Sequence, residues 1–291
     1  MWPNGVLPKA GDNVTIEKSW IVLLDMDPAP INYLIVDGTL FADDSRDVNI
    51  TANSIHIRAG NITAGNPTTN FYRNFVIQIN GQKTDNGFYV DPIIAGNKYM
   101  VITGSLNLNG IAPTTVSTVL TKTAFKGEKV INVAASIDWK IGDTLVLSPS
   151  FSTYSEYETV TIAAIFPDGS VTLTNPLQYT HYGAPTVTID NQFGRLDTRT
   201  RVGHVSRNVK IVPGPDADWG FTTIVYGYND GGVLRIGNVF LDGVQFANGG
   251  QLDSRNAPLK FLNTWNTAFP SSITTSSFLN CKANCILIEY G

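Results

Sequence analysis

The hydrophobic pattern of this chain is short-range. Apolar residues alternate with polar ones, or run together briefly, over residues 14–16, 21–24, 34–36, 55–57, 76–79 and 101–108. A period of two over four to eight residues predicts half-buried strands. Helical periodicity is almost absent, and residues 117–126 hold at most one helical turn or a loop. The strand phrases also repeat. "LIVDGTLFAD", "IHIRAGNITA", "VIQINGQKTD" and "MVITGSLNLN" each place a glycine between two short runs, at Gly38, Gly60, Gly81 and Gly104, with spacings of 22, 21 and 23 residues. A fixed period of this length predicts a solenoid in which each repeat is one coil stacked on the last. The glycine turns the corner. Leu34/Val36, Ile55/Ile57, Ile77/Ile79 and Val101 are then the inward, stacked residues.

The texture changes between Phe125 and Tyr182. "FKGEKVINVAASIDWKIGDTLVLSPS" and "YETVTIAAIFPDGSVTLTNPLQYTHYG" predict paired antiparallel strands, with a hairpin turn at Pro167-Asp168-Gly169. This segment is expected to be a subdomain or a large insertion into the solenoid. Gly-Asp turns introduce two strands, at Gly11-Asp12 and Gly142-Asp143. After Asn208 the coils are expected to resume, with Asn238, Asn263 and Asn280 as corner residues in the left-handed conformation.

Composition narrows the function classes. The 291 residues are 43% hydrophobic and only 15% charged, with a net charge of −4. The surface must therefore present hydroxyls and amides, and no basic stripe invites nucleic acid or an anionic membrane. No apolar run approaches the ~20 residues of a membrane span. Trp2-Pro3 directly after Met1, and a C-terminal "CILIEYG" that stops on the glycine of a strand phrase, suggest a piece of a longer protein. Cys281 and Cys285 read as two small core residues. A bridge between them would need a tight turn at Lys282-Ala283-Asn284, since extended residues hold the Cα atoms too far apart. Sequons at Asn13, Asn49 and Asn61 permit secretion without arguing for it.

Few residues suggest chemistry. His181 in "LQYTHYG" and Asp197, Arg199, Arg201 and His204 in "LDTRTRVGHVSRN" make a candidate polar pocket, with His181 as acid or base and arginine as the carboxylate binder. A solvated loop with a structural Arg–Asp pair fits the same residues. Asp216 and Asp218, two apart in a loop, are a candidate calcium pair, although no third ligand follows in an EF-hand pattern. Asp43, Asp44 and Asp47 read as an acidic loop, and His56 as an outward strand residue. Trp2 and Trp139, beside the Gly-Asp turns, read as packing anchors. No catalytic Gly-x-Ser-x-Gly, zincin, phosphate-loop or Cys–His zinc pattern occurs, and no cofactor is expected beyond calcium as a candidate ion.

The order of "WPNGVLPKAGDNVTI", "LIVDGTLF", "ITGSLNLNG", "WKIGDTLVL", "ETVTI" and "LQYTHYG" resembles the eight-glycine domain of fibrocystin-L, related polycystic kidney and hepatic disease proteins, and the cell-surface and cell-migration-inducing hyaluronidases. The resemblance covers residues 2–183. "RVGHVSRNVKI" then resembles the lead into right-handed parallel β-helix repeats, expected over 184–291 and cut at the C-terminus. It implies an extracellular or surface-exposed protein. The hyaluronidase branch carries a D-x-R-A-E-V-G pattern, to which Asp197, Arg199 and Gly203 correspond, but Arg201 stands at its acidic position. Histidines of that branch are replaced in Gly231-Gly232-Val233 and in 257–262, where Lys260 falls; His181 survives. Loss of imidazoles removes the usual proton-transfer groups near neutral pH.

The expectation is an all-β chain, a parallel β-helix with an antiparallel β elaboration. The expected function is a non-catalytic extracellular or cell-surface module that binds a surface protein or polysaccharide, with Arg199, Arg201 and Lys260 as glycan contacts and neither nucleic acid nor membrane insertion. The alternative is a hyaluronan-degrading enzyme with His181, Asp197 and Arg199 in its site. A pectinase- or lyase-like β-helix is a weaker third reading, for which only scattered residues such as Asp242 are available.

Overall fold

A computed structural model describes residues 5–90, 93–134, 136–150, 153–183, 187–188, 195–215, 219–265 and 270–290. It is all-β; apart from Gly5, the helical residues among these form a 3₁₀ turn at Tyr154–Glu156. The chain divides into two compact units, 1–111 with 207–291, and 112–206.

The first unit is a parallel β-helix with three faces. The first face stacks Asn13–Ile16, Ile31–Val36, the second half of Val48–Ile57, Tyr99–Ile102, Thr222–Asp230, Leu259–Leu262 and Ile286–Glu289. The second stacks Ile21–Leu24, Thr39–Ala42, Asn61–Ala64, Ser105–Asn109, Asn238–Asp242 and Ser272–Thr274. The third stacks the first half of Val48–Ile57, then Phe75–Ile79, Val209–Pro213, Val244–Ala247 and Ser277–Leu279. Every one of these pairings is parallel. One ten-residue strand, Val48–Ile57, bends round a corner and serves two faces.

The predicted corner is real, and space is its cause. Gly38, Gly60, Gly104 and Gly237 stand where the chain passes from the first face to the second. A Cβ on Gly60 would lie 1.9 Å from the carbonyl oxygen of Gly38, one on Gly104 2.3 Å from that of Gly60, and one on Gly237 2.0 Å from that of Ile102. Gly81 does not belong to this column. It follows a third-face strand, with φ +119°, and the coil it starts closes only at Gly104. A glycine after a short strand reads the same at either corner, which is why the repeat looked shorter than the coil.

Inside, Leu34, Ile55 and Met100 form one register column and Val36, Ile57, Ile102 and Val225 another. Ile77 and Ile79 are inward as expected. Val101 is not. It faces outward with Tyr99, Ile224 and Tyr226, and is buried there against Val90, Ile93 and Ala95. All four residues of Tyr99–Ile102 are buried, so no alternation marks the strand's inner side. Asn263 and Asn280 take the left-handed conformation (φ 56° and 53°), but Asn238 is a strand residue and Asn248 (φ 56°) fills the corner position instead. Asn280 Nδ2 donates to Asn248 Oδ1 at 3.3 Å across one coil. Asn53, Asn32 and Asn13 form a similar ladder. The acidic loop is structural: Asp44 accepts from the Tyr72 and Arg73 amides and Asp47 from Asn74.

The second unit is the antiparallel elaboration. Its six strands run in the order Ser117–Val119, Arg201–His204, Thr144–Leu147, Glu158–Ile165, Ser170–Leu173 and Val130–Asn132. The two outer strands meet through a Leu120–Val133 bridge and the bonds Thr121 N–H to Asn132 O and Ala134 N–H to Val119 O. The sheet therefore closes on itself around Leu120, Leu145, Ile162, Val171 and Val202, which leaves no unpaired edge. Residues 117–119 are strand rather than helical turn because they pair with Arg201–Gly203. The hairpin at Asp168-Gly169 and the two Gly-Asp turns form as predicted. Asp12 and Asp143 each accept the amide three residues back, at 2.7 Å. Trp139 is buried with its Nε1–H on the Thr115 carbonyl; Trp2 lies outside the described residues.

The expected division at 183/184 differs from this one. The coils begin at residue 13, before the elaboration, and the strands on either side of it pair directly: Phe75–Ile79 with Val209–Pro213, Tyr99–Ile102 with Thr222–Asp230. The closed sheet is thus an insertion within the β-helix. Cys281 and Cys285 are also not two separate core residues. The turn between them brings their Cα atoms to 5.4 Å and they form a disulfide. The Lys282 amide, held by the Gly249 carbonyl at 2.8 Å, sets that turn.

Candidate functional site

All three histidines are buried and each is tied to a partner. His181 is fully buried. Its Nδ1 lies 3.1 Å from the Ser148 carbonyl oxygen and its Nε2 3.0 Å from Glu158 Oε1. Glu158 also accepts the Gln178 and Tyr179 amides, at 2.8 and 2.7 Å. Both ring nitrogens thus face oxygen atoms. The ring joins the end of Thr144–Leu147, the start of Glu158–Ile165 and the 174–183 loop. His204 Nε2 meets Asp143 Oδ2 at 2.8 Å, with the Trp139 ring 5.8 Å away. His56 is outward on the first face, as expected, yet only 8% exposed. Its Nε2 lies 3.2 Å from Thr103 Oγ1, whose hydroxyl donates to the Arg58 carbonyl at 2.7 Å. Burial, with Arg58 nearby, pushes the His56 ring down to about 4, against a smaller opposing pull from Asp37.

The other predicted residues are distributed. Arg199 closes a fork on Asp197, Nε to Oδ1 at 2.9 Å and Nη2 to Oδ2 at 2.7 Å. Those hydrogen bonds lower the Asp197 carboxyl to about 2. Arg201 is exposed at the start of its strand and its amide donates to Ser148 Oγ. Lys260 belongs to the first unit. It stands outward on the first face and meets Glu289 Oε2 at 2.5 Å, while Arg255 holds Oε1 at 2.6 Å. Lys260, ahead of Arg255, keeps the Glu289 carboxyl below its ordinary range. Asp216 and Asp218 lie outside the described residues. Among the described residues no group of three His, Cys, Asp or Glu side chains converges to hold a metal ion.

None of the partners Glu158, Asp143, Thr103 and Glu289 was read from the sequence as holding one of these groups. They sit 23 to 61 residues from the groups they hold, and only the strand pairing brings them together. "ETVTI" opens on Glu158, but nothing in that stretch marks it as a histidine's partner.

Residues 1–121 match the model of the G8 domain. The chain carries a G8 domain. Mouse fibrocystin-L is 30% identical over 222 residues, which is 75% of this chain and 5% of that protein. A G8 domain-containing protein of Dictyostelium discoideum is 31% identical over 202 residues, 63% of this chain and 17% of that protein. The chain thus spans about a twentieth of the fibrocystin-L it matches. Among solved structures, a Pseudomonas phage tailspike overlaps 72% of this chain and 28% of its own, at 11% identity and a TM-score of 0.26; the β-helix of the G8 chain rests on its own register. The G8 match takes in the first three coils and two faces of the fourth, and ends within the insertion. No helix among the described residues is long and apolar enough to cross a membrane.

Proposed function

We propose that this G8 chain is a non-catalytic extracellular or cell-surface module that binds a surface protein or a polysaccharide. The observation that supports this reading is the burial of every histidine. His56, His181 and His204 are 8%, 0% and 5% exposed, and each is engaged by a partner. Acid–base chemistry near neutral pH most often uses an imidazole within hydrogen-bond reach of substrate, and these rings are turned to structural partners. Asp197 is exposed and Arg199 half-buried, and they satisfy each other. The disulfide fits an oxidising compartment, where such bonds persist. Arg199, Arg201 and Lys260 are the basic groups proposed to meet an acidic polysaccharide.

The test is a size assay. Folded protein is incubated with high-mass hyaluronan, with and without calcium, from about pH 4 to 8, and chain length is followed on a gel. Unchanged length supports the binding module. Shortening that Arg199→Ala abolishes would establish the alternative, a hyaluronan-degrading enzyme with His181, Asp197 and Arg199 in its site.

A further inference from the structure

The outward side of the second face differs in chemistry from the rest of the β-helix. Its six strands hold one register without a bulge, so Leu23, Phe41, Thr63, Asn107, Phe240 and Ser272 form one outward column. Beside it run Ile21, Thr39, Asn61, Ser105 and Asn238. The only charged residue on these strands is Asp242, at the end of one of them, and it accepts a hydrogen bond from Thr275. The first face, by contrast, carries Asp37, Arg58, Lys260 and Glu289 outward. Ile21, Leu23, Phe41 and Phe240 are 78%, 56%, 39% and 38% exposed. The polar residues between them are pre-ordered: Asn61 donates to Thr39 Oγ1, Thr63 to Asn61 Oδ1, and Ser105 to Asn107 Oδ1.

The dimensions narrow the occupant. Six strands at ~4.8 Å spacing make a strip ~24 Å long, and three or four residues at ~3.3 Å make it ~10–13 Å wide. That is roughly 300 Å², well below the ~800 Å² per partner of a standard protein interface, so the strip does not satisfy a second copy or a globular partner. It fits a linear chain laid across the rungs. The absence of lysine and arginine offers nothing to an anionic polymer. Two exposed phenyl rings flank a pair of polar residues, Thr63 and Asn107, which suits a ligand with apolar C–H faces and many hydroxyls and no charge to desolvate.

We infer that the second face of the β-helix is a binding platform for a neutral, extended glycan. The inference rests on the reading of the chain as a partner-binding module and assigns the partner to a face other than that of Lys260.

The experiment presents neutral and anionic oligosaccharides on an array to the labelled 291-residue protein, at about 0.15 M and about 1 M salt. Neutral glycans are expected to be retained equally at both. Phe41→Ser and Phe240→Ser, at exposed positions, should each weaken retention about tenfold, equivalent to about 1.4 kcal/mol. Thr63→Lys, checked for an unchanged melting curve, should do the same, and Ile94→Ser, at an exposed position off this face, should have no effect. Retention of anionic glycans alone, lost at high salt and in Lys260→Ala, overturns the second-face assignment while leaving the partner-binding reading standing. So does retention of no glycan. Shortened chains released from the array would overturn the partner-binding reading itself.

Discussion

Gly60 lies against the carbonyl of Gly38 across one rung of the β-helix, with 1.9 Å where a Cβ would have to fit. The contact is backbone on backbone, in a column that Gly104 continues, and the amides of Asn61 and Ser105 bond the carbonyls of Gly38 and Gly60. No rotamer change relieves it. Gly60→Ala is expected to cost about 3 kcal/mol, at the upper end for overpacking, because the rung must shift. Gly87→Ala is the control: its added Cβ meets nothing closer than 3.6 Å. Urea unfolding of the two variants checks this. Equal midpoints would show that the corner tolerates a side chain.

His56 predicts a pH dependence. In the fold its ring titrates at about 4 because burial, aided by Arg58, disfavours the charge, with Asp37 pulling the other way; the unfolded ring titrates near 6.5. Between these values the unfolded chain binds more protons than the folded one, so stability rises with pH. The contribution is complete above about pH 6.5 and falls away as pH drops towards 4, by up to about 3 kcal/mol. Carboxylates lose their own partners in acid, so the useful quantity is the difference from His56→Gln. That difference should change between about pH 6.5 and 4 in denaturant titrations. A parallel course for both proteins would mean that the ring is not held neutral.

The coils were legible in the sequence where alternation is one-sided. Leu34/Val36 and Ile55/Ile57 are apolar inward and polar or solvent-facing outward, so period and face both read correctly. Val101 misled because Tyr99–Ile102 is covered on both sides, and Gly81 because an Asn-Gly corner of the third face resembles the glycine corner of the first. The insertion was visible as a change of texture. That the coils before and after it form one continuous stack was not, since only register between Phe75–Ile79 and Val209–Pro213, far apart in sequence, carries that fact. The histidine partners were hidden for the same reason. His181 looked reactive because a lone histidine among tyrosines and threonines gives no sign of a glutamate 23 residues away.

Glu158 and His181 form the most consequential buried pair of the inserted unit. The ring meets the carboxylate and the Ser148 carbonyl oxygen, and two backbone amides donate to the carboxylate. Removing the ring strands a buried carboxylate, a loss of about 3–5 kcal/mol. His181→Ala is therefore expected to unfold the 112–206 unit at markedly lower temperature, whereas Arg199→Ala, in a partly exposed pair, should leave the transition where it was. Tryptophan fluorescence of Trp139, buried in that unit, reports it. A His181→Ala protein with an unshifted transition would show that the hub is not what holds these strands.

Cys281 and Cys285 close a loop of five residues on the last turn before Ile286–Glu289. In the chain-entropy description, restricting so short a loop in the unfolded state contributes about 2 kcal/mol. The same turn places the strand that carries Glu289, and so the Lys260–Glu289–Arg255 cluster. Protein prepared without reductant should give no thiol reaction after denaturation. Reduction, or Cys281→Ser with Cys285→Ser, should lower stability by about that 2 kcal/mol. It should also speed amide hydrogen exchange at residues 286–289 while leaving the Ile21–Leu24 strand unchanged. Uniform exchange across both strands would mean that the bond does not hold the last coil in place. Two reactive thiols in the unreduced protein would mean that it does not form.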